Sequence, residues 1–194
     1  MCIRDSTYGG GFHTSSEFLY ENFEDKVIGE YKKLCDLGFG LIEESTEGSY
    51  QFFTEAIQYN SKSETAYYGR AVCNINRENT KEAINDLNKV LEITPDNLSA
   101  LSMRANLFLD INELQNGIND FNSLIKLEPN NCEAIYGRGL AFENLEKYKE
   151  AIFDYQTILK IDPKNINYLS GKLRSLYAIE AVSYTHLRAH ETSL

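Results

Sequence analysis

Three prolines recur in this chain at a single spacing. Pro95, Pro129 and Pro163 stand 34 residues apart, and each closes an amphipathic stretch. Proline cannot donate to a helical ladder and restricts the residue before it, so each one marks a helix end. A fixed period of this size means that one supersecondary unit is repeated, each copy burying a face that it cannot bury alone. The clearest copy is residues 132–165, which reads as two short helices joined by a polar turn and closed by Asp162-Pro163.

Three copies, starting at Glu64, Leu98 and Cys132, align position by position. Position 3 is Ala66, Ala100 and Ala134; position 8 is Ala71, Ala105 and Gly139; position 20 is Ala83, Gly117 and Ala151. Small residues at fixed places are what two closely crossing helices require. Gly117 costs its helix about 1 kcal/mol relative to alanine, which a close crossing tolerates. Larger apolar groups, Leu87, Phe121 and Tyr155 at position 24 and Val90, Leu124 and Ile158 at position 27, share a face of the second helix and fill the space around the small ones. Ile93, Leu127 and Ile161 precede the proline region at position 30. Asn97, Asn131 and Asn165 follow two residues after each proline, placed to cap the next first helix. In the inner turns, Asn79 with Glu82 and Asn112 with Gln115 have capping-box spacing for the second helix.

This pattern resembles the tetratricopeptide repeat, a helix-turn-helix unit of this length with small residues at positions 8 and 20 and proline at 32. The resemblance covers residues 64–165, as repeats 64–97, 98–131 and 132–165. Position 4 is Tyr67, Leu101 or Ile135 rather than tryptophan, and the first copy has Asn74 at position 11 and Thr80 at position 17. Those departures predict that the first copy packs less tightly. The resemblance implies an all-α fold, a right-handed α-α superhelix of stacked repeats, and a protein-protein interaction module that binds a peptide or partner protein in a concave groove. Groove positions transferred from the family fall on Tyr68, Val72, Ile75, Asn76, Ser102, Asn106, Leu109, Asp110, Glu133, Tyr136, Leu140, Glu143, Asn144, Arg174 and Tyr177. Tyrosines supply contact area with a hydroxyl, and asparagines can bond a peptide backbone. Asp110, Glu133 and Glu143 favour a basic or apolar ligand. Co-chaperone members hold a terminal carboxylate with lysine, asparagine and arginine. The corresponding places here are Tyr68, Val72, Met103, Glu133 and Gly137, so that clamp is not expected.

Around these repeats the chain reads less regularly. Residues 16–63 read as an N-terminal helix plus a degenerate repeat. Ser16 is placed as a cap, and Gly29 leaves open whether one helix or two runs to the first turn. Leu37, Gly38 and Leu41 match first-helix positions, and Phe53, Ala56 and Ile57 match second-helix positions, with the turn one residue short. Residues 166–181, with Tyr168, Leu169, Leu173, Leu176 and Tyr177, read as the first helix of a further repeat whose second helix is missing, leaving an apolar face uncovered. The termini have another origin. Residues 1–5, Met-Cys-Ile-Arg-Asp, are encodable by ATG TGT ATA AGA GAC, whose reverse complement encodes Val-Ser-Tyr-Thr-His, the residues at 182–186. Such a pair resembles a transposase-type sequencing adapter translated at both ends. Residues 1–15 are therefore assigned as adapter-derived and flexible, with Gly9-Gly10-Gly11, and 182–194 as an adapter-derived tail. The natural protein is expected to continue beyond both.

Composition limits function further. A net charge of −10 and a pI near 4.8 argue against nucleic acid or an acidic membrane as partner. Cys35, Cys73 and Cys132 have no metal-ligand or redox spacing; Cys73 reads as core, and a reducing, cytoplasmic compartment is favoured. His13 is the one histidine outside the adapter-like ends, and the glycine run lacks a following lysine, so neither a catalytic triad nor a phosphate loop is available. No cofactor is expected. Arg70, Arg104 and Arg138 recur at position 7, and Asp86, Asp120 and Asp154 at position 23. Each aspartate precedes a basic residue by 18 positions, Arg104, Arg138 and Lys172, which predicts a ladder of ion pairs between neighbouring repeats; solvated repeat charge is the alternative. Two other functions stay open: the docking arm of a larger enzyme, and a self-associating structural repeat protein.

Overall fold

The computed structural model describes the backbone of residues 15–191 and the side chains of 26–181, 183 and 184. The glycine run, His13 and the chain ends lie outside the described residues. Among the described residues all regular structure is α-helical. In order, the helices are α1 (Ser15–Gly40), α2 (Thr46–Tyr59), α3 (Glu64–Asn76), α4 (Thr80–Ile93), α5 (Leu98–Asp110), α6 (Leu114–Leu127), α7 (Cys132–Asn144), α8 (Tyr148–Leu159) and α9 (Ile166–Glu191). Consecutive helices pair as hairpins, and each hairpin packs on the next, giving an all-α solenoid. Ser16 lies inside α1 rather than capping it. Gly29 does not break that helix, which runs uninterrupted from Ser15 to Gly40. At the other end α9 runs past Ala181 to Glu191.

First helices start where asparagine or serine caps them. The Oδ1 of Asn97 accepts from the Ala100 N–H at 2.8 Å, and that of Asn131 from Ala134 at 2.9 Å. Asn165 accepts from the N–H groups of Asn167 and Tyr168, and Ser63 caps α3 through Ala66. Second helices start differently, and the capping boxes do not form. The cap of α3, α5 and α7 is followed in each case by a residue with left-handed backbone: Glu78 (φ 59°), Asn112 (φ 61°) and Glu146 (φ 57°). The following N–H reaches back to the first helix, as in Asn79 to the Asn74 carbonyl and Glu113 to that of Phe108, both at 2.8 Å. This 6→1 closure satisfies a helix-end carbonyl. It places Asn79 at the cap of α4 without a side-chain bond, and Glu113, not Asn112, at the cap of α6.

The centre of each hairpin is the large side chain at position 24. Phe53, Leu87, Phe121 and Tyr155 are at most 2% exposed, and burying such a group contributes about 1.5–3 kcal/mol. Three of them are aromatic, and those three are gripped by glycine on the first helix of the next hairpin. A Cβ at Gly69 would stand 2.3 Å from the Phe53 ring, one at Gly137 2.4 Å from Phe121, and one at Gly171 2.7 Å from Tyr155. The fourth, Leu87, meets the corresponding place as Met103 instead. The ring edge and the absent side chain are complementary, and a smaller aliphatic group leaves room for a longer partner. Within hairpins the same closeness explains Gly38 and Gly139, whose Cβ atoms would stand 2.7 Å from Phe53 and 2.8 Å from Tyr155. Gly117 marks the close crossing in the middle hairpin, where a Cβ would meet Leu109 at 2.6 Å.

The recurring charges pair within hairpins, not between them. Arg70 holds Asp86, Arg104 holds Asp120 and Arg138 holds Asp154, each through Nε and Nη2 on both carboxylate oxygens at 2.6–3.0 Å. The expected ladder of Asp86 to Arg104, Asp120 to Arg138 and Asp154 to Lys172 is therefore incorrect. An arginine on the first helix faces the aspartate 16 residues later on its own second helix. What does cross between hairpins is the third nitrogen: Arg104 Nη1 donates to Asn88 and Arg138 Nη1 to Asn122, at 2.6 and 2.7 Å. Thr54 holds the equivalent place before Arg70, and its buried Oγ1 has no partner among the described residues. Burial makes these pairs unlike surface ones, since the aspartate side chains are only 2–8% exposed.

Asn74 does not loosen the first copy as its polarity suggests. It is 2% exposed and donates to Asp86 Oδ2 at 3.0 Å. Phe108 and Phe142 occupy its position in the next two hairpins and lie under the guanidinium of Arg104 and Arg138. Either residue type thus supports the same ion pair, one by a hydrogen bond and the other by cation–π contact.

Candidate functional site

First helix packs on first helix of the next hairpin at α1 with α3, α5 with α7 and α7 with α9, less so at α3 with α5, and no second helix packs comparably on the next second helix. The stack therefore curves with the first helices inside. Two clefts open on that inner face. One, of about 630 Å³, lies across α3, α5 and the start of α7. Its lining includes the groove residues expected from sequence at Ile75, Ser102, Asn106, Asp110 and Glu133. The other, of about 380 Å³, lies across α5, α7 and the start of α9, and includes Ser102, Asn106, Leu109, Glu133, Tyr136 and Leu140. Ser102, Asn106 and Glu133 border both, so the two form one continuous trough.

Seven expected positions fall elsewhere. Tyr68 is half-buried against the Leu87 core, Val72 is half-buried on α3, and Asn76 and Asn144 are exposed at helix ends. Tyr177 is 63% exposed and lines neither cleft. Glu143 and Arg174 bond each other at 2.7 Å. Glu143 also accepts from the Ser175 hydroxyl at 2.7 Å and from the Tyr155 hydroxyl at 3.0 Å. Its carboxylate thus fastens α9 to α7 rather than facing a ligand. Burial, and then this neighbouring carboxylate, push the Tyr155 phenol well above its ordinary range, so it stays a donor.

The trough has members that the family positions passed over. Met103, Leu107 and Leu124 floor the first cleft, and Tyr168 and Asn167 border the second. Tyr168 stands where the other hairpins carry alanine, and its ring lies 5.3 Å from that of Tyr136. Asn131 and Asn165 also line it, although each is already committed as a helix cap. The signal for them was their place at the first-helix start, next to position 2. Neither cleft is lined by lysine or arginine among the described residues.

Among the described residues no three acidic, cysteine or histidine side chains stand together as metal ligands. Cys73 is wholly buried, and burial pushes its thiol up to about 11, so it remains protonated. Cys35 is buried and Cys132 half-exposed, both as free thiols. No helix among the described residues is long and apolar enough to cross a membrane.

Hairpins stacked with their first helices lining a trough define an α-helical repeat scaffold. The tetratricopeptide repeat family model matches residues 132–165 and 64–97. The chain thus contains tetratricopeptide repeats over those residues, a repeat unit of protein-interaction scaffolds. Solved structures of the same fold include MamA (41-end) from Desulfovibrio magneticus RS-1, at TM-score 0.68 and 16% identity over 82% of this chain and 96% of that one. A tetratricopeptide repeat protein from Parabacteroides merdae superposes at 0.70, with 20% identity over 80% and 68%. The first tetratricopeptide repeat domain of Spaghetti, bound to an HSP90 peptide SRMEEVD, superposes at 0.57, with 21% identity over 62% and 96%. No curated protein matches the sequence.

Proposed function

We propose that this chain is a non-catalytic scaffold whose inner trough holds an extended peptide, or an extended segment of a partner protein, of apolar or basic character. The observation that carries this reading is the continuity of the two clefts through Ser102, Asn106 and Glu133. An extended segment needs a long shallow site, with polar groups for its backbone and apolar floor for alternate side chains. Asn106 is exposed and its amide offers both a donor and an acceptor. Tyr136 adds rigid contact area at low entropic cost. Binding of an acidic tail through a carboxylate clamp is not part of this reading, since Tyr68, Val72, Met103, Glu133 and Gly137 supply no cation.

Selection of a displayed random-peptide library on the immobilised chain tests it. Recovered peptides should bind Asn106→Ala plus Tyr136→Ala about tenfold or more weakly, which is the loss of about 1.4 kcal/mol. Lys126→Ala, on the exposed face of α6, should leave binding unchanged. Equal binding to the groove variant, at matched thermal melting, would move the site elsewhere.

A further inference from the structure

We propose that the trough selects a cationic segment, with an aliphatic side chain seated in the larger cleft and flanking lysine or arginine side chains drawn separately to Asp110 and to Glu133. This rests on the reading of the trough as a peptide site and adds the chemistry of its occupant.

Three independent observations lead there. The larger cleft has an apolar floor of Ile75, Met103, Leu107 and Leu124. It lies beside the junction of α4 and α5, where Met103 replaces the glycine that Gly69, Gly137 and Gly171 supply at the other junctions. That junction is also the least closely packed of the successive helix contacts. A flexible thioether at a loosely packed junction adapts to an inserted aliphatic group. At the edge of this floor stand Asp110 and Glu133, both exposed, with no ion pair or side-chain hydrogen bond among the described residues. The arginines of α5, α7 and α9 are committed elsewhere: Arg104 and Arg138 to Asp120 and Asp154, and Arg174 to Glu143. The trough therefore presents two unpaired negative charges and no positive one. A net charge of −10 adds a field that draws cations from a distance. An acidic segment would meet like charge at the same place, so the arrangement discriminates by sign.

Fluorescence anisotropy with three labelled probes tests this: a hexapeptide with leucine between two lysines, the same peptide with glutamates for lysines, and SRMEEVD. The lysine probe should bind at least tenfold more tightly than either acidic probe at low salt, and the gap should narrow as salt rises. Asp110→Asn plus Glu133→Gln should reduce the preference to within twofold. Asp96→Asn plus Glu146→Gln makes the same change in net charge away from the trough and should keep it. Equal binding of the lysine and glutamate probes, or an unchanged preference in Asp110→Asn plus Glu133→Gln, would overturn the sign selection and leave the peptide site standing. Failure of all three probes to bind would overturn both.

Discussion

Gly137→Met should cost about 3 kcal/mol of folding stability, and adding Phe121→Leu should return about half of that loss. The reason is the close approach between α6 and α7. Even the Cβ of the new side chain would stand 2.4 Å from Phe121, whose ring is 2% exposed and has nowhere to retreat. Helix propensity opposes the clash by less than about 1 kcal/mol, so the clash decides the sign. Phe121→Leu alone leaves a gap and should cost about 1–2 kcal/mol. The double variant reproduces the residue pair that the chain already uses one junction earlier, where Met103 packs against the cluster that contains Leu87. Urea unfolding followed by circular dichroism at 222 nm measures all three variants. Strict additivity of the two single losses would show that the ring and the glycine are not partners.

The buried ion pairs should give the other large effect. Arg138→Ala should destabilise by about 3–4 kcal/mol, because it strands a buried aspartate. Asp154 is 1% exposed, and among the described residues its side chain has no other hydrogen-bond partner. Arg138→Met plus Asp154→Leu should lose less than Arg138→Ala alone, since no charge is then left behind. Arg70→Ala should cost about 1–2 kcal/mol less than Arg138→Ala, because Asp86 keeps the hydrogen bond from Asn74. Thermal and urea unfolding of the four proteins, wild type included, tests the order. Equal losses for Arg70→Ala and Arg138→Ala would show that Asn74 does not support its aspartate.

How far the sequence could be read depended on the range of each interaction. The helix caps at Asn97 and Asn131 act within three residues and were legible as local pattern. The 34-residue period was legible because every hairpin meets the same packing demand. Pairing of Asp86, Asp120 and Asp154 was not, because the repeat pattern offers two basic residues to every aspartate. One lies on its own hairpin and one on the next, and helix geometry alone chooses between spacings of 16 and 18. Capping boxes failed at Asn79 and Asn112 because the left-handed residue before the second helix re-aims the cap. The match of Phe53, Phe121 and Tyr155 to Gly69, Gly137 and Gly171 was present in the letters, but it spans the boundary between repeats and is invisible when each is aligned on its own. Glu143 occupies a family groove position, and only the docking of α9 shows that its carboxylate is engaged.

Nuclear Overhauser spectra with labelled phenylalanine, tyrosine and glycine address the nesting of successive hairpins directly. Ring protons of Phe53, Phe121 and Tyr155 should show cross-peaks to the Hα protons of Gly69, Gly137 and Gly171 respectively, each pair being in contact across a hairpin junction. Absence of all three, in a folded helical sample, would contradict the stacked solenoid and the trough built on it.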